Sequence, residues 1–287
     1  MSGSALRFDA APADHDLPPS VRVDARLDLA LDAPAGTTRI ARRHEQGAFR
    51  LRFPKSHCTT PEVCLVNIAG GLAGGDRVSF RFDAGPDAGA QVSSAAAERI
   101  YRSAGDVTRI ETRLTLDDRA RVLWLPQETI LHGGARLDRR FAIDVAPSAR
   151  LLFGEMLYFG RRASGETFTA GHLRESWRLR LGPTLTYADE LRITGEFAAD
   201  ILHPVALFEH VAVATLILCA QDADEALDPI RATLASRHGI EGGASNLGGA
   251  VVIRLAARDA AGLRQTVLGL AAVMAARLPL PLPRALS

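Results

Sequence analysis

RVSFRFDAGPDAGAQVSS, residues 77–94, sets apolar Val78, Phe80 and Phe82 alternately with polar residues, turns at Ala-Gly-Pro-Asp, and resumes as a second apolar segment. Alternation at period two marks a strand with one buried face. Proline pre-sets φ and glycine tolerates unusual φ/ψ, so residues 84–87 close the pair. The pattern returns in TRLTLDDRARVLWL (112–125), RFAIDVAPSARLLFG (140–154) and WRLRLGPTLTYADE (177–190). With Ala90, Ala120, Ala149 and Leu185 as equivalent positions, the steps are 30, 29 and 36 residues. A supersecondary unit that recurs at this period stacks on its own copies. The spacing predicts a mainly β (α+β) protein, layered and β-helix-like, built of stacked hairpins.

The carboxy-terminal third changes character. Leu207 to Ala220 is a mostly apolar run that reads as a buried strand, and Ala223 to His238 carries Leu227, Ile230 and Leu234 at helical spacing, with Gly239 as a C-cap. Ala250 to Ala256 reads as another strand. Asp259 can cap a second helix that runs through Leu263, Val267, Leu270 and Met274 to Arg277, where the proline-rich end stops it. The expected division is a flexible tail over residues 1–20 and one domain over 21–287, with stacked β layers to 205 and a β/α part from 206.

Composition narrows the function classes. A chain of 287 residues with 47% apolar content suits one compact globular protein. Its 34 basic and 33 acidic residues leave a net charge of +1, which offers no footprint for nucleic acid. No apolar run is long enough to span a membrane. The start lacks the basic and apolar regions of a signal peptide, and Cys58, Cys64 and Cys219 are too few for a secreted disulfide framework, so a cytoplasmic location is expected.

Several runs interrupt the regular pattern with polar groups. GGLAGGD (70–76) has the wrong glycine spacing for a dinucleotide loop, and a strand follows it where a helix N-terminus would be needed; it reads as a corner with Asp76 capping the turn. Tyr101 and Arg102 are adjacent on an expected strand, so they face opposite sides. WLPQETILHGGA (124–135) places Gln127, Glu128 and His132 among apolar residues, and Glu155 and Glu166 are further carboxylates in apolar settings. Such carboxylates need partners: salt bridges to Arg102, Arg161 or Arg162, or a metal ion. His57, Cys58 and Cys64 cluster locally without the paired spacing of a closed zinc site. No nucleophile elbow and no Walker A loop is present.

Taken in order, GGLAGGD, ERIYRS (98–103), WLPQETILHGGA, GRRASGETFTAG (160–171) and the Leu-Pro-Arg of 282–284 resemble the urease accessory protein UreD (UreH) family. The resemblance runs from about residue 21 to the end. It departs at Ile68 and Ala69, where the family usually has prolines, and at Ala285 and Leu286, where a large aromatic usually follows. It implies a non-enzymatic, layered β protein that binds the urease structural subunits, UreF and the GTPase UreG, and helps deliver nickel to the urease active site. No cofactor is then stably bound, and Ni²⁺ is in transit. A conduit needs exchangeable oxygen ligands, because a thiolate or multi-histidine site would trap the ion. On that view Asp76, Glu128 and Glu166 line the route, with His132 near one end and Tyr101 and Arg102 shaping its wall. The apolar C-terminal helix and its proline-rich tail are candidates for the UreF contact. The rival class is a carbohydrate-active β-solenoid enzyme with Glu128 and Glu166 as acid and base.

Overall fold

The computed structural model describes residues 22–55, 60–161, 165–166, 168–196 and 210–286. In chain order its strands begin with β1 (Asp24–Asp32), β2 (Arg39–Gln46), β3 (Phe49–Arg52), β4 (Glu62–Asn67), β5 (Arg77–Ala84), β6 (Gly89–Ser94), β7 (Glu98–Ile100) and β8 (Thr108–Leu116). They continue with β9 (Arg121–Trp124), β10 (Thr129–Leu131), β11 (Arg136–Val145), β12 (Arg150–Phe159), β13 (Ala170–Leu181) and β14 (Thr184–Glu196). The C-terminal part holds β15 (Ala212–Cys219), helix α1 (Leu227–Ala235), β16 (Ile240–Asn246), β17 (Ala250–Ala257) and helix α2 (Ala260–Ala275).

Two sheets face each other. The front sheet has seven strands in the order β14-β13-β11-β8-β5-β1-β2; the back sheet runs β16-β17-β15-β12-β9-β6-β4-β3, with β10 beside β12 and β7 beside β10. The layered, helix-like β architecture with two C-terminal helices is therefore what the chain adopts. Within the first three copies, however, the two strands joined by each short turn are not hydrogen-bonded to each other. β5 pairs in parallel with β1 and β8 in the front sheet, while β6 pairs in parallel with β4 and β9 in the back sheet. The turn carries the chain across the sandwich as an arch. One circuit of about thirty residues advances the chain by one strand spacing of about 4.8 Å. Only the fourth copy, β13 and β14, is an antiparallel hairpin in one sheet, turning at Gly182 with φ +56°.

Parallel, in-register stacking puts equivalent side chains into ladders. Leu29, Phe82, Leu114, Ile143 and Leu179 lie side by side across the front sheet, and Val63, Val92, Trp124, Phe153, Ile217 and Val252 across the back sheet. The ladders meet between the sheets. Trp124 stacks on Phe153 at 5.9 Å, and Phe153 meets Phe141 and Trp177 edge-on at 5.4 Å each. Burial of each such side chain contributes roughly 1.5–3 kcal/mol.

The middle strands of the back sheet, β6, β9 and β12, are buried on both faces, which is why β12 reads as a nearly continuous apolar run. Leu123, Leu125, Leu152, Met156, Leu216 and Leu218 form its second core with α2, whose Leu263, Val267, Leu270 and Met274 are buried. Asp259 caps α2 as expected, accepting from the amides of Ala261 and Gly262. The first helical segment is shorter than its periodicity suggested: a 3-10 turn over Ala223–Ala226 precedes α1, and Gly239 (φ +73°) leads into β16, a strand with two glycines and no apolar alternation to announce it. Among the described residues no helix is long and apolar enough to cross a membrane.

Candidate functional site

The polar motifs come together because each occupies the same place in a circuit. Short arches at 85–88, 117–120 and 146–149 carry the chain from the front sheet to the back; return arcs at 68–76, 101–107 and 132–135 bring it forward again. The return arcs stack like the strands. The amide of Leu72 donates to Arg99 O, that of Tyr101 to Leu72 O, that of His132 to Ile100 O, and that of Gly134 to Ala170 O.

Asp76 fastens the first arc. Its two carboxylate oxygens accept from the amides of Val23 (2.8 Å) and Ala73 (2.7 Å), so it caps the GGLAGGD corner as the sequence suggested. At Gly71 a Cβ would stand 2.4 Å from the Tyr101 ring, so only glycine lets this arc lie against the next one. Tyr101 follows β7 rather than lying within a strand; its hydroxyl donates to Gly70 O at 2.9 Å, and its ring meets His132 edge-on at 4.9 Å. Arg102 bridges to Ala135 through the backbone and lays its side chain over Gly134.

His132 is buried, and its Nδ1 lies 3.7 Å from Glu166 Oε2, while its Nε2 has no hydrogen-bond partner among the described residues. Burial holds the imidazole below its ordinary pKa, with Glu166 pulling the other way. Glu166 accepts from Arg161 Nε at 2.7 Å and from the Gly133 amide at 3.0 Å; the Arg161 guanidinium holds it below the usual carboxylate range. The structure thus joins Tyr101, His132 and Glu166 in one cluster, with Arg102 alongside and Asp76 at the foot of the first arc.

Glu128 faces elsewhere. It pairs with Arg264 of α2 at 2.9 Å, and Arg264 also binds Gln127, so this part of the motif fastens the helix to the back sheet. Of the expected salt bridges, Glu166 to Arg161 forms; Arg162 lies outside the described residues, as do His57 and Cys58 of the local cluster. Cys64 is half-buried on β4, and burial raises its thiol pKa. Among the described residues no group of three or more His, Cys, Asp or Glu side chains is placed to hold a metal ion.

Behind the arcs, between the sheets, lies a cavity of about 250 Å³, walled by Phe49, Phe80, Ile110, Trp124 and Phe141 and lined on its polar side by Glu98, Arg139 and Glu155. Buried Arg139 donates to Glu155 Oε2 (3.0 Å), Thr129 Oγ1 (2.9 Å) and Glu175 Oε2 (2.8 Å from Nε), and Trp177 Nε1 donates to Glu175 Oε1 (2.9 Å). Burial pushes Glu155 up to about 7, opposed by the Arg139 charge. Glu98 is also pushed up to about 7 by burial, although the Asn67 amide donates to both its oxygens. Arg139, Glu175 and Glu98 escaped the sequence reading, yet two of them carry a signal. Arg139 interrupts the inward series Leu137, Phe141, Ile143 of β11, and Glu175 interrupts Leu173, Trp177, Leu179 of β13. A charge in the inward phase of a strand must be paired inside the protein.

The comparisons with known proteins agree with one another. The family model described as "UreD urease accessory protein" matches residues 23–286. A urease accessory protein UreD from Methylobacterium sp. (strain 4-46) is 43% identical over 268 residues, covering 92% of this chain and 94% of its own. One from Azorhizobium caulinodans is 40% identical over 263 residues, covering 92% and 96%, and one from Xanthobacter autotrophicus is 39% identical over 294 residues, covering 99% of both chains.

Proposed function

Because this chain belongs to the UreD urease accessory protein family, we propose that it serves urease maturation as a scaffold and conduit that passes Ni²⁺ toward the urease active site. Its relatives are accessory proteins by name, and the chain is not an enzyme. The glycosidase reading accordingly falls: Glu128 is held by Arg264 and Glu166 by Arg161.

The observation that carries the conduit reading is His132. A buried imidazole with one nitrogen turned to a carboxylate and the other unpartnered among the described residues is the arrangement of a histidine ready to meet a metal ion. One imidazole with one carboxylate and water binds weakly enough to release the ion, which a conduit requires. In this reading the ion passes along the return arcs by His132 and Glu166, with Tyr101 and Arg102 as the wall and Asp76 at the foot of the first arc, while Glu128 is held to one side by Arg264 of α2. The cavity with Glu98 and Glu155 gives a hydrated ion room behind the arcs. The partners are the urease structural subunits, UreF and the GTPase UreG, in the cytoplasm. The UreF contact is assigned to the exposed side of α2 and the proline-rich tail, since the apolar stripe of α2 is occupied by the back sheet.

The test is co-expression of His132→Ala and of the Glu128→Gln, Glu166→Gln double variant with urease and the other accessory proteins. With partner binding retained, the nickel content and activity of the recovered urease are expected to drop at least several-fold. Wild-type nickel content in both variants would sink the route.

A further inference from the structure

The two outer faces of the sandwich are unequal. Helices cover the back sheet over β12, β15 and β17, whereas on the front sheet Arg77, Ser79, Arg81, Arg109, Arg113 and Arg140 are exposed. The inner strands β1, β5, β8, β11 and β13 of that sheet are parallel. Parallel sheets are ordinarily covered on both faces. A bare one on a folded chain invites a partner.

Register defines what such a partner would meet. One row across the sheet reads Asp24, Arg77, Arg109, Asp138, Arg174, Arg192. Two rows further, Arg81 stands directly beside Arg113. Like charges on neighbouring strands repel, and three of these arginines are relieved locally: Arg81 by Asp83 (3.0 Å), Arg113 by Glu111 (2.7 Å), Arg174 by Glu190 (3.0 Å). Arg77 and Arg109 are not. Neither makes an ion pair among the described residues, although they are register neighbours. Both line a depression of about 560 Å³ in the sheet face, whose rim also carries Arg26, Arg140, Glu111 and Asp138.

We propose that this depression is a docking site for an acidic protein surface, with carboxylates of the partner seated between Arg77 and Arg109. A planar guanidinium takes a carboxylate through two hydrogen bonds, and arginine is enriched at protein interfaces. The acids within the same depression select against a polynucleotide: Asp24, Glu111 and Asp138 would repel a run of phosphates, whereas a protein can place single carboxylates at Arg77 and Arg109, since Glu111 is engaged by Arg113 and Asp138 by Arg140. The chain as a whole carries only +1, so attraction depends on this local field.

The choice of partners for the test rests on the maturation reading; a peptide arm does not. In the first arm the full chain is titrated with a poly-glutamate peptide and with a single-stranded oligonucleotide of equal charge. Wild type is expected to bind the peptide at low salt, and Arg77→Glu/Arg109→Glu to bind it at least tenfold more weakly, with an unchanged melting temperature. Arg77→Gln/Arg109→Gln should fall between them and serves if the reversal does not fold. Equal peptide binding by wild type and both variants overturns the site, and tighter oligonucleotide binding that depends on the same arginines overturns the protein partner in favour of nucleic acid. In the second arm each variant is co-expressed with the urease subunits and accessory proteins. Loss of one component, with a flatter dependence of assembly on salt, supports the site. Full assembly by the reversal variant refutes it while leaving the maturation reading intact. A wild-type chain that assembles with nothing refutes that reading, and the peptide arm then decides the docking site alone.

Discussion

Glu155 and His132 are both buried polar side chains, and their surroundings give them opposite roles. Glu155 belongs to a set in which Arg139 is shared with Glu175, so two carboxylates face one cation in the interior. Among the described residues, His132 keeps an unpartnered nitrogen. The first arrangement has a consequence for pH. A folded-state pKa of about 7 against an ordinary 4.5 means that the folded protein holds this proton more tightly than the unfolded chain does. The contribution of Glu155 to stability is therefore full below about pH 4.5 and is lost as pH rises through 7, by about 3 kcal/mol. Glu155→Gln leaves Arg139 matched one to one by Glu175 and removes that decline. In urea unfolding, the variant is expected to gain on the wild type between pH 5 and pH 8; parallel pH profiles for the two proteins would contradict this account. The sequence made Glu155 visible as a carboxylate in an apolar run. It did not show Arg139 as its partner, because the two lie on strands of opposite sheets and meet only across the interior.

At the level of elements, strands and helices were largely legible. Alternation in β5, β8 and β11 fixed their inward faces, and Asp259 announced the start of α2 through its side chain alone. Asp259→Ala should cost about 1 kcal/mol in thermal unfolding. Hydrogen exchange should then speed up in the first turn of α2, with the strands unaffected; uniform acceleration would mean that the helix and the sheet unfold together. The pairing of strands was not legible. A strand, a tight turn and a second strand describe a hairpin and an arch equally well, since the same residues bend the chain in either case. What separates them is the bonding edge, and β5 finds its partners in β1 and β8, which are far away in sequence.

For the whole molecule, the repeats to residue 205 and the β/α part from 206 share a hydrophobic core. β15 pairs with β12 along its length, and α2 seals the outer face of the back sheet over Leu152, Met156 and Leu216. A chain ending at residue 205 bares this face together with the edge of β12, and exposed apolar patches of that kind drive association. Such a truncation is expected to appear mostly in the insoluble fraction and to scatter light on refolding. A monodisperse, folded product would show that the stacked layers stand alone. The sequence by itself determined the class of the fold, the inward and outward faces of most strands, the capped helix and, through five ordered motifs, the family, because these depend on local periodicity and on residue identity. The tertiary structure decided that the short turns are arches, that the polar motifs line up on one edge, and which cation each carboxylate meets. Those outcomes depend on hydrogen bonds and charges between residues one or more circuits apart, which become neighbours only when the circuits stack.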